Sequence, residues 1–221
     1  MSNAIETPSQ AHQRRVGIAG GVDFTMMYIA HDAFNRDLAR LLAAADAGKA
    51  HFPATVATWQ SFSRQLHTHH AAEDASLWPR LRQVVSDPAE SQILDDMEHE
   101  HTSLVPRLRR VDEAIAARDE VVHILQLRAL VTGLPEHMRH EEEAALPLLE
   151  RRLGPAGWDA FGKEIRSQQG GLKGAAEYLP WVLDGANPAY TATLLRVLPA
   201  PARLLYRLIW EPKYRTSERL R

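Results

Sequence analysis

Phe62, Leu66, His69, Glu73, Leu77 and Pro79 recur as Leu130, Leu134, His137, Glu141, Ala145 and Pro147, with a spacing of 68 residues at every position. The steps of three and four trace one face of an α-helix. His69 and Glu73 are four apart, as are His137 and Glu141, so each pair stacks on that face. A second repeat relates Met27, His31, Phe34, Leu38 and Leu41 to Met97, His101, Leu104, Leu108 and Val111, with a spacing of 70. The chain therefore reads as two helical hairpins. Each gives a histidine from its first helix and His-x-x-x-Glu from its second.

Punctuation supports this reading. Asp23 is placed to cap a first helix that runs to about Ala47, before "DAGKAHFP". Pro53 opens a second helix, which Pro79 disturbs. In "SDPAE", Ser86 or Asp87 caps a third helix with Pro88 in its first turn, and that helix reaches about Arg118. A fourth begins near Asp119 and ends near Arg152, before "LGPAG". Pro106 and Pro147 fall inside these patterns and are expected to kink them. Strand-like alternation is nearly absent. The expected fold is all-α: an up-down-up-down four-helix bundle over residues 20–153, with a helical C-terminal appendage over 154–221.

Composition excludes several functions. With no cysteine in 221 residues there are no disulfides, thiolate chemistry, cysteine-type zinc sites or cysteine-held iron–sulfur clusters. No run of about 18 apolar residues predicts a transmembrane span, and the N-terminus has no signal-peptide core. A cytoplasmic location fits. Ser2-Asn3-Ala4 reads as an expression-tag remnant and is assigned no function. A net charge of −2 gives no sign of nucleic-acid binding. The charge is uneven: residues 1–153 hold 16 Lys+Arg against 22 Asp+Glu, and residues 154–221 hold 10 against 6.

Four histidines and two glutamates on inward stripes converge when the helices pack. Burying two carboxylates without partners costs several kcal/mol each. Cations remove that cost, and neutral imidazoles add nitrogen ligands. The metal-ligand candidates are His31, His69, Glu73, His101, His137 and Glu141. No acid, base or nucleophile beyond them suggests a substrate-specific catalytic residue.

The four stretches "AHDAFNRDLARLL", "HHAAEDASLWPRL", "EHEHTSLVPRL" and "HMRHEEEAALPLLE", in that order, resemble the hemerythrin-like, or HHE cation-binding, family. The resemblance implies a four-helix bundle holding a non-haem centre of two iron ions with an oxo or hydroxo bridge. Manganese and zinc are alternatives. It implies small ligands such as O2, NO or peroxide, and roles in oxygen binding, iron or oxygen sensing, or oxidative and nitrosative stress. Oxygen-carrying members use five histidines, two of them a turn apart on the third helix, and end on His-x-x-x-x-Asp. Here Met97 and Val105 flank His101 by one turn, and the last motif is His137-x-x-x-Glu141, which is the pattern of the four-histidine, two-glutamate branch. Members that repair iron–sulfur clusters commonly carry a cysteine-bearing N-terminal segment, which this sequence lacks. The branch pattern implies that His31 and His137 hold one metal, that His69 and His101 hold the other, and that Glu73 and Glu141 bridge.

His70 and Asp74 form a second i,i+4 pair, turned about 100° from the first. They read as supporting or solvated residues, and as rival ligands if the helical phase is off by one. His67, His99 and His140 read as surface or supporting groups, and His12, His51 and His123 as incidental. Glu98 reads as an exposed acid, "RHEEEAA" as a charged face around Glu141, and "ARLLYRLIWEPKYR" as a basic amphipathic helix packed on the bundle. Three functions compete. One is a di-iron protein reacting with small oxidants or gases. The second is a sensor or metal store acting through a partner. The third is a structural zinc or manganese bundle.

Overall fold

Asp87 accepts hydrogen bonds from the Ala89 and Glu90 amides, and Pro88 needs no partner for the N–H it lacks, so a helix starts here. That helix, α5, runs from Pro88 to Ala117 through Pro106 and closes on Arg118 in the left-handed conformation (φ 55°). One residue later the Asp119 carboxylate accepts from the Val122 amide and starts α6, Glu120–His140. The tight connection makes α5 and α6 an antiparallel pair. The first pair is α2, Thr25–Asp46, and α3, Pro53–Ala72. Asp23 bonds the Thr25 amide at 3.0 Å, but Phe24 occupies the cap position itself. The computed structural model describes residues 5–18 and 20–220, and among them there is no strand. Ser2-Asn3-Ala4 lies outside the described residues.

Both motif-bearing helices widen at the glutamate. α3 passes through a π-helical turn, Glu73–Leu77, into α4, Trp78–Arg82. α6 passes through Glu141–Ala145 into α7, Leu146–Arg152. The Trp78 amide bonds the Glu73 carbonyl and the Leu146 amide bonds the Glu141 carbonyl, each five residues back. The disturbance expected at Pro79 and the kink expected at Pro147 are thus π-turns, whereas α5 continues as α-helix through Pro106. Pro79 and Pro147 have no N–H to give, and their rings would strike the carbonyl four residues earlier in a regular helix. A wider turn relieves that clash.

The inward stripes pack as expected. Of the twenty apolar, histidine and glutamate positions in the two repeats, only Leu108 is less than fully buried. Trp59 ties α3 to α5 by donating Nε1–H to Asp112 at 2.6 Å.

Two parts of the fold lie outside the four-helix pattern. The first is α1, Pro8–Val16, which the sequence reading did not anticipate. Thr7 and Gln10 form a capping box around Pro8. The second follows the bundle: α8 (Gly154–Gln168), α9 (Gly171–Leu183), α10 (Pro188–Val197) and α11 (Ala200–Leu205), then a π-turn (Tyr206–Trp210) into α12 (Glu211–Thr216). This segment shares the bundle's core. Trp181 packs on Phe34 with ring centroids 5.1 Å apart and donates Nε1–H to Asp37 at 2.7 Å. Arg36 bonds the Trp181 carbonyl, and Tyr206 and Trp210 are buried. Leu204, Leu208 and Ile209 face outward.

Removing a fully buried tryptophan leaves a cavity that costs about 3–5 kcal/mol. Trp181→Ala should lower the unfolding free energy of the metal-free chain by that amount in urea. Leu208→Ala, on the exposed face, should stay within about 0.5 kcal/mol of the unsubstituted chain.

Candidate metal centre

Each helix of the bundle delivers its ligand candidates from the stripe that packs inward. His31 comes from α2, His69 from α3, His101 from α5 and His137 from α6; Glu73 and Glu141 open the two π-turns. All six are buried, and both glutamates are 0% exposed. Met27 and Met97 lie one turn before His31 and His101, and Leu66 and Leu134 one turn before His69 and His137. All four are buried and keep the surroundings apolar. The Phe34 ring is 5.4 Å from that of His69, and Trp78 is 6.2 Å from His101.

The imidazoles meet in pairs. His31 Nε2 is 3.3 Å from His69 Nε2, and His101 Nε2 is 3.2 Å from His137 Nε2. These contacts join α2 with α3 and α5 with α6, an arrangement different from the metal pairing implied by the resemblance, His31 with His137 and His69 with His101. Glu141 Oε2 lies 3.2 Å from His31 Nε2. Glu73 reaches both pairs, with Oε1 3.0 Å from His69 Nε2 and Oε2 3.5 Å from His101 Nε2.

Three supporting carboxylates set the imidazole orientation. His31 Nδ1 contacts Glu142 at 2.7 Å, His101 Nδ1 contacts Asp74 at 2.8 Å, and His137 Nδ1 contacts Glu100 at 2.8 Å. A carboxylate at Nδ1 accepts a hydrogen bond from Nδ1–H, which keeps the proton on that nitrogen and leaves the Nε2 lone pair free to bind a metal.

Asp74 is thus a support for His101, as one of the two sequence readings held, but its neighbour His70 is not. His70 is buried, its ring stacks on His101 at 4.0 Å, and Nε2 has no hydrogen-bond partner. Ligand atoms of His70, His101 and His137 group within 4.8 Å, as do those of His31, His69 and Glu141. His70, from α3, thus sits within the same cluster as His101 and His137. The reading of "RHEEEAA" as a charged face is also corrected. Glu142 is 1% exposed and carries two arginines, because α1, absent from the sequence reading, lies over it. Glu98 is exposed and pairs with Arg82. His67 and His99 are exposed, and His140 bonds Glu100. His12 contacts the Tyr190 hydroxyl at 3.0 Å. His51 and His123 face one another at 5.9 Å, apart from these clusters.

The donor set fits cations. All four carboxylate oxygens of Glu73 and Glu141 are buried without a hydrogen-bond partner among the described residues. Ligands bonded at about 2.1 Å to one ion lie about 3.0–3.4 Å apart at octahedral or tetrahedral angles. The two Nε2–Nε2 separations fall in that range. Burial opposes protonation of His31, but Glu141 and Glu142 outweigh it and raise its pKa to about 9. Burial and the charge on His31 then push His69 down to about 3. Burial, reinforced by Glu141, raises Glu73 well above the carboxylate range. Burial alone would raise Glu142, but His31 and Arg15 hold it at about 2.

Residues 23–149 match the family described as Hemerythrin HHE cation binding domain. A search of curated proteins and one of solved structures gave no match. The matched stretch contains every ligand candidate and all three supporting carboxylates, and excludes α1 and the segment from α8 onward.

Without a cation, the carboxylates beside His31 favour its protonated form and burial favours that of Glu73, and cation binding opposes both. Both pKa values are raised, so affinity should climb with pH toward about 9 and fall as pH drops. Co2+ titrations between pH 6 and 9, in buffers of different ionisation heat, should show that slope together with proton release. A flat affinity would contradict it.

Proposed function

This chain belongs to the hemerythrin HHE cation-binding family, and on that premise we propose that it holds two iron ions and binds or reacts with small oxidants or gases such as O2, NO or peroxide. The observation that carries this reading is the pair of fully buried glutamates whose four oxygens lack donors and face two opposed imidazole pairs. One ion would be held by His31, His69 and Glu141 and the other by His101, His137 and His70, with Glu73 within reach of both groups. A bound iron pair supplies exchangeable electrons and a coordination position for a small ligand.

The protein's own groups do the rest. Glu142, Asp74 and Glu100 accept hydrogen bonds from the Nδ1–H groups of His31, His101 and His137 and so aim each Nε2 inward. Phe34, Trp78 and the buried Met and Leu residues one turn away surround the centre with apolar side chains and shield it from water. No nucleophile adjoins the cluster, which supports small-ligand chemistry at a metal over group transfer. Histidine and carboxylate ligands also suit manganese and zinc. Roles in oxygen binding and in the stress response are part of this reading.

Protein purified without added metal should contain about two irons per chain, and its visible spectrum should change on exposure to air, NO or peroxide. Glu73→Ala and Glu141→Ala should each lose most of the metal while the bundle stays helical by circular dichroism. Stoichiometric zinc, or no uptake on anaerobic iron loading, would overturn the redox reading.

A sensor role has one observation in its favour. The Phe34 ring touches His69 on one side and Trp181 on the other, which links the centre to the C-terminal segment. If that link transmits metal status, limited proteolysis within residues 154–221 should differ between the metal-loaded and metal-free chain. Identical cleavage would remove this reading.

A further inference from the structure

We infer that Arg15 of α1 is a positioning residue for one half of the cation site, acting on His31 through Glu142, so that α1 completes a centre whose ligands all lie in the bundle. The inference rests on the two-cation reading and adds a residue outside the matched family region.

The three supporting carboxylates are held in different ways. The Asp74 side chain is 51% exposed and that of Glu100 is 30% exposed, so water solvates both. Glu142 is 1% exposed and lies beneath α1. Burying that carboxylate is expensive unless it is paired. Arg15, itself 3% exposed, supplies the pair in fork geometry: Nε donates to Glu142 Oε2 at 2.9 Å and Nη2 donates to Oε1 at 2.7 Å. Glu142 Oε1 is the atom that meets His31 Nδ1.

Charge alone does not explain Arg15. Arg14 already gives Glu142 a cation, with Nη2 2.8 Å from Oε2. What Arg15 adds is geometry. Its third contact, Nη1 to Asp32 Oδ1 at 2.8 Å, falls on the residue next to His31 in α2. One planar guanidinium therefore ties the carboxylate that orients His31 to the helix that carries His31. The Tyr28 ring, 4.8 Å from the guanidinium carbon, holds the group from another side. α1 itself is fixed by buried Ala11 and by the contact of His12 with Tyr190 of α10.

Loss of such an outer partner typically weakens metal binding by about 10- to 100-fold. Here the effect falls on one ion of the two. The test loads the full chain with Co2+ and follows release of each ion to EDTA by the visible Co2+ bands. In Arg15→Ala one ion should leave about 10- to 100-fold faster than from the unsubstituted chain, and the other at an unchanged rate. Arg15→Lys keeps the charge but not the fork and should fall between. Asp74→Asn, acting on His101, should speed the other ion instead. If Arg15→Ala folds poorly, Glu142→Gln gives the same reading with the volume kept, and it should free the same ion. Unchanged release from Arg15→Ala, or equal acceleration of both ions, would make Arg15 a mere anchor of α1 and overturn the inference. An unsubstituted chain that binds no Co2+ would overturn the cation-site reading itself. One that binds two while Arg15→Ala behaves like it overturns only the role of Arg15.

Discussion

Two fully buried glutamates that face imidazoles set the terms for the rest of this structure. A buried carboxylate must be protonated, paired or bound to a cation. The nearby imidazoles answer only part of that demand. Once His31 takes a proton, its charge and the burial of His69 keep the second imidazole neutral. Burial and the neighbouring Glu141 then push Glu73 toward its protonated form. Divalent cations satisfy both carboxylates and every inward lone pair together.

The prolines after the glutamates gain a physical account from the π-turns. In a regular helix, Pro79 and Pro147 would each break the backbone ladder and collide with the carbonyl one turn earlier. The five-residue turn absorbs the proline and restarts the helix with a new phase. Leu77, Trp78 and Leu81 are then buried after the first turn, and Leu146, Leu148 and Leu149 after the second. The glutamate sits at the first residue of the turn, still in phase with the histidine four residues before it. Ligand geometry before the turn and core packing after it are thereby separated. The same relation holds at Tyr206 and Pro212, where no ligand is involved, so the device belongs to the backbone and the two ligand sites make use of it.

The six ligand candidates were legible because periodicity places side chains on a face, and a face shared by leucines and histidines is an inward one. The helix boundaries were legible from Asp87, Pro88 and Asp119. What sequence could not supply were relations between faces. His70 sits 100° from His69, and only the packing of α5 and α6 decides that this direction also leads inward. The pairing of His31 with His69 depends on how neighbouring helices approach, which no spacing within one helix fixes. α1 left a faint local signal, Thr7-Pro8-Ser9-Gln10, which fits a capping box but is too short to weigh alone.

Three consecutive acids show how far that limit extends. Glu141, Glu142 and Glu143 are chemically alike and adjacent, and a sequence offers no reason to separate them. In the structure Glu141 faces the imidazoles, and Glu142 is sealed beneath α1 by Arg14 and Arg15. Glu143 stands at the surface beside Arg139. The differences lie in what the rest of the chain sets opposite each one. Glu142 pairs with residues 127 and 128 positions away, beyond the reach of any helical rule. Glu142 supports His31 from a sealed position because a distant helix brings it two guanidinium groups, whereas Asp74 and Glu100 support His101 and His137 from positions that water reaches. In this chain the cations come from a helix outside the repeat.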